Sequence, residues 1–121
     1  MKFKMVHNNF NVADLAKSLK FYADAFGMYE VRRIEKADFT IVYLEDGSSS
    51  HKLELTWLRE MDRPYNLGDN EFHLAFETED YEAALAHHKK MGCVCYENEQ
   101  MGIYFCEDPD GYWIEVLPAK R

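Results

Sequence analysis

Along this chain apolar and polar residues alternate in short runs, and twice the period lengthens to that of a helix. From Phe3 to Val12 the spacing predicts a strand, with Val6, Phe10 and Val12 on one face and Phe3, Met5 and His7 on the other. Asp14 then has the chemistry of an N-cap. Leu15, Leu19, Tyr22 and Phe26 recur at helical spacing, Ser18 and Ala25 share their side, and Gly27 supplies the stop. Met28 to Lys36 reads as a second strand, interrupted by Arg32 and Arg33, and Phe39 to Leu44 as a third. After the turn chemistry of EDGSSS, Lys52 to Leu58 alternates cleanly. Leu53, Leu55 and Trp57 take one face and Lys52, Glu54 and Thr56 the other, the pattern of a sheet buried on one side.

Residues 59–70, with Pro64, Gly68 and several short polar side chains, read as a connecting loop, after which the order repeats. Phe72, Leu74 and Phe76 alternate with Glu71, His73, Ala75 and Glu77. Asp80 caps a helix striped by Tyr81, Ala84, Leu85, His88 and Met91, and Gly92 ends it. Val94 to Glu97 and Ile103 to Cys106 are short strands. Asp108-Pro109-Asp110-Gly111 is a tight turn, and the run from Tyr112 to Leu117 is the last strand, with one carboxylate, Glu115, among bulky apolar residues.

Both halves therefore run strand, capped helix ending in Gly, strand, strand, acidic turn, strand: an internal duplication. VHNNFNVADL pairs with FHLAFETEDY, which puts His7 on His73 and Asp14 on Asp80. IVYLEDG pairs with IYFCEDP, and HKLELTW with GYWIEVL, so that Glu54 falls on Glu115. Each copy thus offers one imidazole from its first strand and one carboxylate from its last. An ionised group within a strand requires water, a counter-charge or a metal ion. Two imidazole nitrogens and two carboxylate oxygens suit a borderline divalent cation such as Ni²⁺, Co²⁺, Zn²⁺, Mn²⁺ or Fe²⁺. The expected class is α+β: two tandem βαβββ modules, about 1–58 and 71–121, within one domain spanning 1–121. They are expected to form a curved mixed sheet around a metal-containing cavity, with the helices on the outer face.

Composition narrows the picture further. With 121 residues, 47% of them apolar and 15% aromatic, the chain has material for one core, and no apolar run reaches membrane-spanning length. The N-terminus MKFKMVHNNF lacks the pattern of a secretion signal, so a cytoplasmic protein is expected. Cys93, Cys95 and Cys106 have neither disulfide-framework nor zinc spacing and are expected to be reduced and mostly buried. A formal charge of −8 opposes binding a phosphate backbone, which excludes nucleic acid as an expected partner. His51, His87 and His88 lie outside the duplicated positions and read as surface or helix-packing residues.

VHNNFNVADLAKSLKFYADAFGM, LELTW, FHLAFETEDY and EDPDGYWIEVL resemble the corresponding segments of the vicinal oxygen chelate superfamily and, within it, of the glyoxalase I or lactoylglutathione lyase family. This resemblance spans nearly the whole chain. It implies His7, Glu54, His73 and Glu115 as ligands of one divalent metal ion, with Ni²⁺ or Co²⁺ favoured and Zn²⁺ the alternative. It also implies isomerisation of the methylglyoxal–glutathione hemithioacetal to S-lactoylglutathione through a metal-stabilised enediolate. Glu115 is then the first choice for the base and Glu54 the second. Similar enzymes are homodimers whose metal lies between subunits; other members complete a site within one chain.

A carboxylate at Glu54 separates this chain from relatives that open catechol rings, modify fosfomycin or epimerise coenzyme A thioesters, and an intact ligand set separates it from drug-sequestering relatives. Two positions depart from the glyoxalase pattern. Where similar enzymes place an Arg and an Asn against glutathione, this chain has Asn11 and Leu58, while Arg32, Arg33, Lys52, Arg59 and Arg63 remain as sources of local positive potential. Those departures leave open another thiol, another metalloenzyme reaction of the superfamily, or a non-catalytic binding dimer.

Overall fold

A computed structural model describes residues 1–120, in two compact units, Met1–Tyr65 and one that starts at Asn66. The first unit contains β1 (His7–Asn11), α1 (Leu15–Phe26), β2 (Tyr29–Glu35), β3 (Phe39–Glu45) and β4 (Lys52–Leu58). The second contains β5 (Leu74–Thr78), α2 (Tyr81–Met91), β6 (Val94–Asn98), β7 (Ile103–Glu107) and β8 (Trp113–Pro118). Each has one four-stranded sheet, ordered β1-β4-β3-β2 and β5-β8-β7-β6. The first and last strands of each unit pair parallel and the other neighbours antiparallel, so both sheets are mixed, as the α+β class requires.

Both helices begin and end as the sequence dictates. Asp14 accepts a hydrogen bond from the Lys17 amide and Asp80 one from the Ala83 amide, each at 3.1 Å, satisfying an otherwise orphaned donor in the first turn. Gly27 and Gly92 close the helices in the left-handed region, at φ of 65° and 76°.

In the first unit α1 turns Ser18, Tyr22 and Ala25 inward, and Phe10, Val42, Leu44, Leu53 and Leu55 are buried with them. Leu55 lies opposite Phe10 on one side and Val42 on the other, so these side chains share a sheet face. Burying each contributes roughly 1.5–3 kcal/mol, and the alternation that buries them directs Glu54 and Tyr43 to the opposite face. The second unit repeats this with Tyr104, Cys106, Ile114 and Val116 buried, and with Glu115 and Phe105 on the other face.

Two strands are shorter than their patterns predict. Lys52 begins β4 and its amide donates to the Val6 carbonyl, so residues before Val6 have no ladder to join, and Phe3 and Met5 stand exposed. Likewise β5 begins at Leu74, leaving Phe72 exposed and His73 immediately ahead of the strand. Of the three thiols expected to be mostly buried, Cys106 is buried, Cys93 half-buried and Cys95 exposed, because the pleat turns Cys95 outward from β6. His88 packs inside the second unit, its Nδ1 2.7 Å from the Tyr104 hydroxyl.

Candidate metal-binding half-sites

The register of each sheet brings an imidazole to a carboxylate by the same route. Asn9 lies opposite Glu54 across the parallel β1–β4 pair, and His7, two residues earlier, projects from the same face. Ala75 lies opposite Glu115 across β5–β8, and His73 again stands two residues earlier. His7 Nε2 is 3.7 Å from Glu54 Oε1, and His73 Nε2 is 3.0 Å from Glu115 Oε1. Among the described residues no three His, Cys, Asp or Glu side chains cluster as a metal-holding group, so each unit by itself presents a pair.

Aromatic rings on the third strand of each unit back both imidazoles. Tyr43 meets His7 edge-on at 5.7 Å between centroids, and Phe105 meets His73 in the same way at 5.1 Å. These rings stand opposite the carboxylates, Tyr43 facing Glu54 and Phe105 facing Glu115. The Tyr43 phenol is held above its ordinary range, first by the Glu54 carboxylate opposite it and then by burial, with the charge of Arg32 opposing. With its amide nitrogen assigned to face the acceptors around it, Asn9 donates to Glu54 Oε1 at 3.0 Å and to Thr56 Oγ1 at 2.6 Å.

Further out, the two faces differ in character. Beside Tyr43 the first unit carries Arg32, whose guanidinium carbon sits 5.7 Å from the ring centroid, and Lys52, ion-paired to Glu45 at 3.1 Å. The second unit carries Tyr96 and Trp113, stacked at 6.2 Å, with Phe105 against Trp113 at 5.1 Å. Arg33 turns away to Glu30 and Glu35, which hold its guanidinium charged.

The donor chemistry fits a cation. Glu54 and Glu115 are only 13% and 14% exposed, yet among the described residues neither has a Lys or Arg within ion-pair distance. A shielded carboxylate without a counter-charge is costly. The surroundings of His73 agree, since Nδ1 faces the Glu71 carbonyl at 3.1 Å and Nε2 faces Glu115, so both ring nitrogens point at acceptors. If the Glu71 carbonyl takes the Nδ1 proton, the Nε2 lone pair faces a carboxylate oxygen, an arrangement that a divalent ion between them resolves. Two ligands about 2.1 Å from such an ion lie about 3.0–3.4 Å apart for adjacent octahedral or tetrahedral positions, close to the spacing in each pair.

The model of the Glyoxalase/Bleomycin resistance protein/Dioxygenase superfamily matches residues 4–116. The chain belongs to this superfamily. It is 36% identical to a lactoylglutathione lyase of Neisseria meningitidis serogroup A, over 97% of this chain and 91% of that one. To the lactoylglutathione lyase of Haemophilus influenzae it is 35% identical, over 97% and 93%. Among solved structures it superposes on the glyoxalase I of Leishmania major, described as trypanothione-dependent, with a TM-score of 0.86, 33% identity and coverage of 98% and 88%. These likenesses identify the chain as an enzyme of the lyase kind, and its superfamily implies a divalent metal. Among the described residues no helix is long and apolar enough to cross a membrane.

His7, Glu54, His73 and Glu115 were all singled out by the duplication. Sequence reasoning did not mark Asn9, Tyr43, Phe105 or Ala75 as neighbours of the acids, because those relationships exist only once strands β1 and β3 pair with β4, and β5 and β7 with β8. The repeat itself could have signalled them, since Tyr43 and Phe105 occupy matched places in IVYLEDG and IYFCEDP.

Proposed function

We propose that the protein isomerises the hemithioacetal of a 2-oxoaldehyde and a thiol to the 2-hydroxyacyl thioester, with methylglyoxal and glutathione as the first substrates to test. His7, Glu54, His73 and Glu115 would hold one divalent ion, Ni²⁺ or Co²⁺ before Zn²⁺, the two pairs coming together in a homodimer or within one chain. The observation that carries this reading is the repeated pairing of a shielded, counter-charge-free carboxylate with an imidazole nitrogen 3.0–3.7 Å away. When bound, the ion supplies Lewis-acid polarisation of the substrate oxygens and stabilises the developing enediolate charge.

The protein's own residues handle the proton. Glu115 accepts the proton from the carbon bearing sulfur and returns it to the neighbouring carbon, while the hydroxyl proton on the first carbon's oxygen passes to the oxygen of the second, so the isomerisation conserves every atom and needs no external oxidant or reductant. His73 holds Nε2 towards Glu115 through the contact of Nδ1 with the Glu71 carbonyl. Glu54 is the alternative base. Arg32 offers a cation on the first unit's site face without a carboxylate partner among the described residues, and supports an acidic thiol component.

A second reading, with a thiol other than glutathione, is favoured by Asn11 and Leu58 and by the trypanothione dependence described for the Leishmania enzyme. The protein is expected to work in the cytoplasm. The testing experiment is titration of apo-protein with Ni²⁺, Co²⁺ and Zn²⁺, followed by thioester formation from methylglyoxal adducts of several thiols. Tight stoichiometric binding with turnover supports the lyase, tight binding without turnover points to another metalloenzyme, and absence of tight binding to a drug-sequestering dimer.

A further inference from the structure

The two halves carry the same ligand pair in unequal settings. Glu54 sits between two hydrogen-bond donors on its ladder, Tyr43 on β3 and Asn9 on β1. Glu115 sits between Phe105 on β7 and Ala75 on β5, neither of which can donate from its side chain. These four flanking residues occupy matched positions of the duplication, so each half serves as the control for the other.

Packing does not account for the difference. The ring of Tyr43 meets His7 edge-on just as the ring of Phe105 meets His73, so the ring contact is retained in both halves and what distinguishes them is the hydroxyl. That hydroxyl belongs to the residue directly opposite Glu54 on β3, and the Asn9 amide donates to Glu54 Oε1 at 3.0 Å from β1. The Asn9 donor restricts the rotamers of Glu54, and Tyr43 places a second donor group on the other neighbouring strand. For Glu115, the hydrogen-bond partner among the described residues is His73 alone.

Resting on the reading above, we propose that Tyr43 and Asn9 are positioning residues that hold Glu54 as a fixed ligand and so leave proton transfer to Glu115. A base serving two adjacent carbons must shift its oxygen between them. A carboxylate flanked by two donors is suited to permanent ligation; one flanked by a benzyl ring and a methyl group is suited to motion.

Co²⁺ is the probe, because its visible absorption reports ligand geometry independently of turnover. Tyr43→Phe keeps the ring and removes the donor; combined with Asn9→Ala it is expected to weaken Co²⁺ binding about 10-fold or more and to change the Co²⁺ absorption bands. The mirror variant, Phe105→Tyr with Ala75→Asn, installs donors on Glu115 and is expected to lower kcat about 10-fold or more while KM and Co²⁺ affinity stay near the unmodified protein's. Unchanged affinity and spectrum in the first variant, or unchanged kcat in the second, would overturn the inference alone. Absence of stoichiometric Co²⁺ binding by the unmodified protein would overturn the metal-centred reading on which it rests.

Discussion

Tyr43 lies directly opposite Glu54 on the β3–β4 ladder and brings a hydroxyl donor to that ladder position, while the matched position opposite Glu115 belongs to Phe105. The two acids should therefore fail differently. Glu115→Gln is expected to reduce kcat by about 100-fold or more with appreciable metal binding retained, the range for loss of a general base. Glu54→Gln should show its larger effect in metal affinity. Metal titration alongside steady-state kinetics on both variants checks this, and equal losses in both quantities would remove the division of roles.

Arg32 carries the expectation about the thiol. Because it lies over Tyr43 on the face that bears Glu54, Arg32→Gln is expected to raise KM about 10-fold for an adduct of an anionic thiol, and by much less for an adduct of uncharged 2-mercaptoethanol. Kinetics on the two adducts decide it. A uniform change for both would assign Arg32 to packing.

The turn that delivers β8 depends on Asp108. This residue is 5% exposed, and its Oδ1 accepts hydrogen bonds from the amides of Asp110 and Tyr112, both at 2.9 Å. Asp108→Ala strands those donors and is expected to cost about 1–3 kcal/mol, seen as a lower denaturation midpoint in urea. A midpoint within error of the unmodified protein would contradict this account of the turn.

Cys95 supplies a pH-dependent prediction. Although the residue as a whole is exposed, its sulfur is part-buried against the Phe105 carbonyl at 3.5 Å, and that desolvation, then the charge of Glu107, pushes its pKa up to about 11. The raised value favours the protonated thiol in the folded state, so its contribution to stability is present below the ordinary thiol range and is lost as pH rises towards 11. Alkylation by iodoacetamide at neutral pH should be about 100-fold slower than for a free thiol and should accelerate with increasing pH. Mass-spectrometric labelling rates at Cys95 test it, and a rate plateau near pH 9 would refute it.

Much of this architecture is legible in the one-dimensional pattern because its causes are local. Asp14 and Asp80 cap helices, Gly27 and Gly92 end them, and the alternation of Leu53 and Leu55 with Glu54 assigns the buried face of β4. The duplication then aligns His7 with His73 and Glu54 with Glu115 without any partner strand being known. Pairing is what a linear reading lacks. Phe3 and Met5 alternate as well as Phe10 does, yet β4 starts only at Lys52 and gives them no ladder. Tyr43 and Asn9 are unremarkable aromatic and polar residues in sequence, and they acquire a role only because both strands neighbouring β4 bring them to Glu54.

Thioester formation by metal-loaded protein, followed before and after chelation, tests the central claim most directly. The account predicts that a methylglyoxal hemithioacetal is converted to its 2-hydroxyacyl thioester once about one equivalent of Ni²⁺ or Co²⁺ per site is bound, and that chelation abolishes the conversion and re-addition of the ion restores it. Conversion that survives complete chelation, or no thioester from the adduct of any thiol with the metal bound, would contradict it.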